Sequence, residues 1–292
     1  AVEALFVTLF LEAHQRPPRQ IILDLDATDD PLHGHQEGRF FHGYYDCYCY
    51  LPLYVFCGRH LLAARLRPSD IDASAGSVEE VARIVRQIRA RWPFVRILLR
   101  ADSGFAREAL MAWCEQNRVD YLFGLARNAR LVAMIEEELA AARAAAEKTG
   151  RPARRFKDFQ WTTLGSWSQR RRVVAKAEWT QGEANPRFVV TSLKRSEAGA
   201  RQLYEDIYCA RGDMENRKVV GQGVVTGVVA KGTLQPPLTG IHKTFNHHFA
   251  IGGDHHVDRL CLYHPHVLAA KESGKEHLVD AWRERGDCRE VV

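Results

Sequence analysis

Three strands are predicted by the hydrophobic pattern near the start of the chain. Residues 20–28, QIILDLDAT, form an apolar run of strand length that ends in acidic residues. The stretch 40–58 is rich in aromatic residues, alternates in places and is interrupted by Pro52, which favours a hairpin. A third strand is expected at 60–66. Strands this close in sequence are expected to pair as an antiparallel meander.

Helices and strands alternate in the next part of the chain. Apolar residues recur at helical spacing in 77–92, and Ser77 followed by Glu80 forms the pattern of a capping box. The remaining elements expected before residue 150 are strands at 95–102 and 119–125 and helices at 106–117 and 127–148. A meander followed by strand–helix–strand units predicts an α/β fold with a mixed sheet flanked by helices.

The pattern changes after residue 150. Strand-like runs such as RRRVVAKAEW follow a basic linker, and a helix is expected over about 197–218. The sequence beyond that helix has no clear periodicity. We therefore divide the chain into a core at 1–150, a β-rich insertion at 151–195, a core helix at 196–218 and an atypical tail at 219–292.

The composition permits an anionic partner without requiring one. The chain has 292 residues and a formal net charge of +5, and it contains no apolar run long enough to span a membrane. Its seven cysteines are an odd number and include no CxxC pair. This pattern predicts free thiols in a reducing cytosol.

Acidic residues stand at the ends of two predicted strands. Asp24 and Asp26 alternate with leucines, so both carboxylates project from one face of their strand. Asp102 closes the next core strand and is followed by a Ser-Gly turn. A single aspartate in such a place more often caps a turn. Two such strands in one sheet favour a site at its carboxyl edge.

The stretch YCARGDMENRK at 208–218 adds a third carboxylate. On an α-helix, Tyr208, Arg211 and Glu215 lie within about 60° of one another, so one face carries a phenol, a guanidinium and a carboxylate. Three converging carboxylates repel one another unless a divalent cation holds them. Their hard oxygen atoms suit Mg²⁺ or Mn²⁺.

Three ordered motifs resemble the DDE-type transposases of bacterial insertion sequences. They are LDLDATDD, RADSGF and the Y-x₂-R-x₃-E helix, and the stretches HGHQEGRFFHGYYDCYCYLPLYVF and RPSDIDASAG are similar to the same group. The resemblance covers about residues 1–218. It implies a ribonuclease-H-like catalytic core, with the β-rich insertion between the last core strand and the glutamate-bearing helix.

The resemblance assigns a role to each acid. Asp26, within Asp-Ala-Thr, matches the first catalytic and metal-binding acid, Asp102 the second and Glu215 the third. Asp24 is the alternative first acid because it shares the strand face, and Thr28 favours Asp26 because it completes the motif.

DNA is the partner that the resemblance implies. Tyr208 and Arg211 match a pair that contacts phosphate beside the cleavage site in the family. Arg154, Arg155 and Arg171, from a basic cluster in the insertion, are further expected phosphate contacts, with a solvated basic surface as the alternative.

The activity implied by the resemblance is phosphoryl transfer with two Mg²⁺ or Mn²⁺ ions. The family cleaves DNA at the terminal inverted repeats of the element and joins the ends to target DNA. It also implies a homodimer that bridges two DNA ends in the bacterial cytosol, close to the nucleoid, with no membrane association.

Two departures from the family pattern leave other functions open. No Lys stands about six residues beyond Glu215, and the chain starts at Ala1 without the expected DNA-end-binding region. We expect a chain that is incomplete at both ends, with a frameshifted or disordered tail. The alternatives are a ribonuclease-H-like nuclease without strand transfer and an inactive remnant that only binds DNA.

The aromatic residues of 40–56 and the histidines have simpler explanations. We expect these aromatic side chains to form sheet core rather than a surface on which bases stack. The histidine pairs of the tail lack suitably spaced Cys or carboxylate partners, so we expect no zinc site there.

Overall fold

The computed structural model describes residues 2–180 and 182–214. The strands are β1 (Gln20–Ala27), β2 (Asp30–Pro31), β3 (Phe40–His42), β4 (Cys47–Tyr50), β5 (Leu53–Cys57), β6 (His60–Arg65), β7 (Arg96–Ala101), β8 (Asp120–Leu125), β9 (Ala153–Trp161), β10 (Arg171–Thr180), β11 (Glu183–Ala184) and β12 (Arg187–Thr191). The α-helices are α1 (Val2–Glu12), α2 (Ser77–Arg91), α3 (Glu108–Gln116), α4 (Ala129–Ala133), α5 (Glu136–Thr149) and α6 (Ala200–Gln202). Glu215 and the predicted tail lie outside the described residues.

Nine of the described strands form one mixed sheet, in which β1 has a central place. β1 pairs with β7 in parallel and with β5 antiparallel, and β7 pairs with β8 in parallel. β5 pairs antiparallel with β6, the strand expected at 60–66. The helices between β6, β7 and β8 supply the crossovers that parallel strands require. This arrangement confirms the predicted class, a mixed α/β sheet flanked by helices.

The strands of the insertion continue the same sheet. β12 pairs antiparallel with β8 and joins the insertion to the core strands. β10 pairs with β12 and β11, and the whole length of β9 pairs with β10. A separate three-stranded sheet has the order β2-β4-β3. The predicted hairpin at 40–58 is therefore divided between two sheets, because β4 belongs to the small sheet and β5 to the large one.

The two faces of the large sheet bury different sets of residues. On one face, leucines of β1 and β7 pack with α1, α2 and α3 in the main core. On the other face, Leu98, Leu122 and Val189 pack against residues 200–214, which we call the C-terminal segment. Leu203 and Tyr208 make this contact from the side of the segment. Side chains alternate between faces along a strand. The acidic positions of β1 therefore share the face that the C-terminal segment covers.

Two local expectations are wrong. α2 begins after Gly76, which is left-handed (φ 72°) and makes no side-chain cap, so Ser77 and Glu80 form no capping box. The C-terminal segment is α-helical only in α6 and continues as a π-helix, Leu203–Tyr208, and a 3-10 helix, Cys209–Met214. Arg100 donates a 2.5 Å hydrogen bond to the Ile207 carbonyl within the π-helical stretch.

Two other findings concern the described residues only. Their cysteines form no disulfide. None of their helices has the length and apolar character needed to cross a membrane.

Candidate active site

The first two predicted acids stand at the carboxyl ends of neighbouring strands, Asp26 within β1 and Asp102 directly after β7. In the parallel β1–β7 register, the last pair is Asp24 with Arg100. Asp26 lies two residues beyond Asp24 on β1, and Asp102 lies two residues beyond Arg100, directly after the end of β7. Neighbouring strands are about 4.8 Å apart. Asp26 and Asp102 therefore stand at the carboxyl ends of adjacent strands, and the charges of both act on the phenol of Tyr45.

Asp24 is engaged in a buried ion pair. Its two carboxylate oxygens accept hydrogen bonds from Arg100 Nε at 2.6 Å and Nη2 at 2.9 Å, and both side chains are buried. The remaining guanidinium nitrogen, Nη1, bonds to Ile207 in the C-terminal segment. The Asp24–Arg100 pair therefore links β1 to β7, and Arg100 also links β7 to the C-terminal segment.

Asp102 begins a single turn of 3-10 helix, Ser103–Phe105. Its Oδ1 accepts a 2.8 Å hydrogen bond from the Gly104 nitrogen, as a capping side chain does. A Cβ on Gly104 would lie only 3.0 Å from that oxygen and 3.1 Å from the Ala73 Cβ. The small residue at 104 therefore allows the turn to hold the carboxylate close to the end of β7.

Gly124 on β8 is in close contact with two parts of the site. A Cβ at this position would lie 2.6 Å from the Tyr208 hydroxyl and 2.8 Å from the Ser103 nitrogen. Contacts this short are not compatible with any side chain unless the neighbours move. The absence of a side chain lets Tyr208, which is buried, and the Asp102–Ser103 backbone share the surface of β8.

Arg211 lies beside the first acid. Its Nη2 is 3.8 Å from Asp26 Oδ1, and the Asp26 side chain is only 2% exposed. Tyr45 lies near the same group of acids. Burial, followed by the charges of Asp29, Asp26 and Asp102, raises the pKa of its phenol above the usual range. Both observations place a concentration of negative charge at this edge of the sheet.

The donor set fits a hard divalent cation in part. Asp26 and Asp102 supply carboxylate oxygens of the kind that Mg²⁺ and Mn²⁺ prefer. Among residues 2–180 and 182–214, no group of three His, Cys, Asp or Glu side chains is placed to hold a metal ion. The predicted third ligand, Glu215, is the residue that follows the last described position.

The three arginines expected to contact phosphate lie in different environments. Arg155 is exposed on β9, and Arg154 is half-exposed and pairs with Glu178 and Glu205. Arg171 has a side chain only 1% exposed, and its guanidinium donates to Glu108 and Glu115 at 2.6–3.3 Å. This corrects the expectation for Arg171, because a buried guanidinium held by two carboxylates does not face a DNA backbone.

Sequence analysis missed Arg100 and Gly124. Arg100 lies two positions before Asp102 on the same strand face, and that alternation was the available signal. The isolated Gly124 inside a strand pattern was a signal of close backbone approach. Neither signal shows that Arg100 pairs with Asp24 or that Gly124 contacts Tyr208, because both partners are distant in sequence.

A family model matches the part of the chain that contains this site. Residues 1–222 match the model described as "Transposase DDE domain group 1". The chain therefore belongs to the transposase DDE domain group 1 family, and this membership supports a transposase or nuclease function that acts on DNA. It also agrees with the recognition of the three motifs in the sequence.

Other comparisons add little. A comparison with curated proteins found no match. Among solved structures, the chain is similar to the Argonaute of Marinitoga piezophila in complex with a 5′-hydroxyl guide RNA and target DNA, with 8% sequence identity and a TM-score of 0.30. The match covers 65% of this chain and 25% of the Argonaute chain. A similarity of this size supports no conclusion about this protein.

Proposed function

We propose that this protein is a DNA transposase that cleaves strands at the ends of a mobile element and joins them to target DNA. The proposal is supported by the position of Asp26 and Asp102 at the carboxyl ends of the adjacent parallel strands β1 and β7, with Arg211 3.8 Å from Asp26. Asp24 is not the first acid in this proposal, because Arg100 holds both of its oxygens.

Asp26 and Asp102 would hold the divalent ions, with Glu215 as the third ligand. Bound there, Mg²⁺ or Mn²⁺ would make the attacking oxygen more nucleophilic and stabilise the charge on the leaving oxygen. The chain itself contributes preorganised carboxylates, since the capping bond from Gly104 and the β1–β7 register determine where they lie.

Arg211 and Tyr208 have different proposed roles. The Arg211 guanidinium can donate to two oxygens of the scissile phosphate, and Asp26 keeps it at the site. Tyr208 is buried against Gly124 beside the Asp102–Ser103 peptide, so we assign it the positioning of that peptide as well as the expected phosphate contact.

The same site can serve two displacements at phosphorus. In cleavage, a water oxygen replaces the 3′ oxygen of the DNA strand, which leaves with a 3′-hydroxyl end. In strand transfer, that 3′-hydroxyl loses its proton and attacks a phosphate of target DNA. The new P–O bond forms as the P–O3′ bond of the target strand breaks, and the target 3′ oxygen takes up a proton and leaves as a hydroxyl. Arg155 and the outer side of Arg154 on β9 are proposed to contact the DNA backbone. A homodimer that holds two element ends, located in the bacterial cytosol near the nucleoid, completes the proposal.

Two alternatives make different products. A nuclease of this fold would cleave without joining, and an inactive remnant would bind DNA without cleaving it. The experiment incubates the full chain with a plasmid that carries the genomic DNA flanking its gene, together with target DNA and Mg²⁺ or Mn²⁺. Cleaved ends with joined products support the transposase, and Asp102→Asn is the control. Cleavage without joined products, or cleavage that survives this substitution or EDTA, contradicts the proposal.

A further inference from the structure

The small sheet carries an unusual concentration of exposed aromatic side chains. We call β3, β4 and the turn between them, residues 40–50, the aromatic hairpin. Phe40, Phe41, Tyr44 and Tyr48 are 42%, 53%, 62% and 48% exposed. Single exposed apolar residues are normal on any protein. Four large aromatic rings within one hairpin form a surface that is typical of a binding site.

Part of this surface is ordered by contacts between neighbouring side chains, in which the Phe41 and Tyr48 rings meet edge to face at 71°. Phe41 and Tyr48 are directly opposite each other on β3 and β4, with their ring centroids 5.6 Å apart. The Arg39 guanidinium lies 4.5 Å from the centroid of the Tyr48 ring. Arg39 is held there by hydrogen bonds to the Gly34 carbonyl and, at 2.9 Å, to His35 Nδ1. Two rings and a fixed guanidinium plane therefore form a continuous, partly exposed row.

The chain connects the aromatic hairpin directly to the candidate active site. β2, which pairs with β4, begins at Asp30, four residues after Asp26. β4 leads through two residues into β5, where Tyr54 is the register partner of Asp26. Tyr45, in the turn of the hairpin, packs against the main core. The hairpin thus emerges from the end of the sheet at which Asp26 and Asp102 stand.

We infer that the aromatic hairpin binds unpaired bases of the DNA strand that is held at the acidic site. The inference rests on the proposed function and extends it with a site for bases next to the site for phosphate. Aromatic rings and guanidinium planes both stack on nucleobases, and they do so with little dependence on base identity. A protein partner would require a broader apolar surface than this narrow row next to a polar loop, PLHGHQEGR.

The experiment compares the full chain with the double variant Phe41→Ala/Tyr48→Ala, and with Tyr48→Phe as the matched control. Binding is measured by fluorescence anisotropy with Ca²⁺ present, using three labelled DNAs: a blunt duplex, a duplex with a single-stranded overhang, and one with an abasic overhang. We expect the double variant to bind the overhang DNA about 10- to 100-fold more weakly, because stacking contributes about 1–3 kcal/mol per base. Tyr48→Phe keeps the affinity, and binding of the other two DNAs stays unchanged.

Each other result overturns the inference. An equal loss for all three DNAs would mean that the variant affects phosphate binding or folding, which thermal melting identifies. An unchanged affinity for the overhang DNA, with a shift from dimer to monomer in light scattering, would make the hairpin a protein interface. Cleavage measured on the same samples separates the two claims. If the wild type cleaves and the hairpin variant binds normally, only the base-binding inference fails. If the overhang preference depends on the hairpin but no cleavage occurs, only the proposed catalysis fails.

Discussion

Two clusters of charged residues in this protein each combine an arginine with carboxylates, but at different distances. In the first, Arg171 is buried and donates to Glu108 and Glu115 at distances as short as 2.6 Å. In the second, Arg211 stands 3.8 Å from Asp26 at the acidic edge of the sheet. The short contacts of the first cluster satisfy its charges internally. The second cluster places a guanidinium beside a carboxylate at the end of the sheet, and we propose that these groups act on phosphate and metal.

The largest expected effect comes from the acidic edge. Asp26→Asn and Asp102→Asn should each reduce DNA cleavage at least about a thousandfold, because a bound metal contributes several kcal/mol of charge stabilisation. Stability in urea should change little, because asparagine has nearly the same size and shape as aspartate and each substitution removes one negative charge from a group of neighbouring acids. The measurement is product formation from end-labelled DNA with Mg²⁺. Normal cleavage by either variant would remove that residue from the site.

Asp24→Asn should show the reverse pattern. It leaves the buried Arg100 without its carboxylate partner, so unfolding should cost about 3–5 kcal/mol less than in the wild type. Cleavage at a temperature where the variant is folded should persist, because Asp24 holds no metal in this proposal. Urea denaturation and a cleavage assay on the same sample check both statements. The double variant Asp24→Asn/Arg100→Met should recover part of the lost stability, and a folded Asp24→Asn protein without cleavage would make Asp24 the first acid.

Gly124→Ala tests the close packing beneath the site. The added Cβ would meet the Tyr208 hydroxyl and the Ser103 nitrogen at less than 3.0 Å, so one of them must move. We expect a loss of about 1–3 kcal/mol of stability from overpacking. Cleavage should fall about a hundredfold, since a displacement of about 1 Å at a reacting group has an effect of this size. Gly165→Ala, which meets no atom within 4 Å, is the matched control, and equal cleavage by the two variants would contradict the positioning role.

The smallest expected effect is on stability at low pH, through the buried cluster of Arg171, Glu108 and Glu115. A hydrogen bond from Arg171 lowers the pKa of Glu108. Burial would raise the pKa of Glu115, but bonds from Arg171 and Tyr121 lower it overall. Both carboxylates therefore stabilise the folded protein above their ordinary pKa, near 4.3, and this stabilisation is lost as pH falls through their lower folded values.

Arg171→Met should consequently flatten the dependence of unfolding free energy on pH between neutral and strongly acidic solution. Urea denaturation at several pH values measures this slope. Arg143→Met, which breaks the exposed pair of Arg143 with Glu147, should leave the slope close to that of the wild type. Equal slopes in all three proteins would show that the buried cluster is not the source of the acid sensitivity.

The elements could be predicted from sequence where local patterns determine them. Strands β1, β7 and β8 and helices α2 and α3 lie close to the expected positions, because apolar periodicity depends on nearby residues. The pairing of Asp24 with Arg100 could not be predicted, since it depends on the register of strands 76 residues apart. The burial of Arg171 could not be predicted for the same reason, because its two carboxylate partners lie on a helix more than 50 positions earlier in the chain.

The candidate site was predictable as a set of motifs rather than as a geometry. The family match agrees with the motifs, and the catalytic roles of Asp26, Asp102 and Glu215 stay predictions. The helical spacing assumed for the C-terminal segment was wrong, because π and 3-10 turns replace the α-helix over 203–214. The aromatic stretch was also divided in a way that composition does not reveal: Tyr54 is buried, whereas Phe41 and Tyr48 are exposed.

The most direct measurement is a titration of the purified chain with Mn²⁺, followed by electron paramagnetic resonance, in the wild type and in Asp26→Asn, Asp102→Asn and Asp24→Asn. We predict that the wild type binds Mn²⁺ and that Asp26→Asn and Asp102→Asn each weaken binding by at least about tenfold, because each removes a charged oxygen ligand. Folded Asp24→Asn should bind Mn²⁺ like the wild type. Equal Mn²⁺ binding by the wild type, Asp26→Asn and Asp102→Asn would contradict a metal site at the ends of β1 and β7.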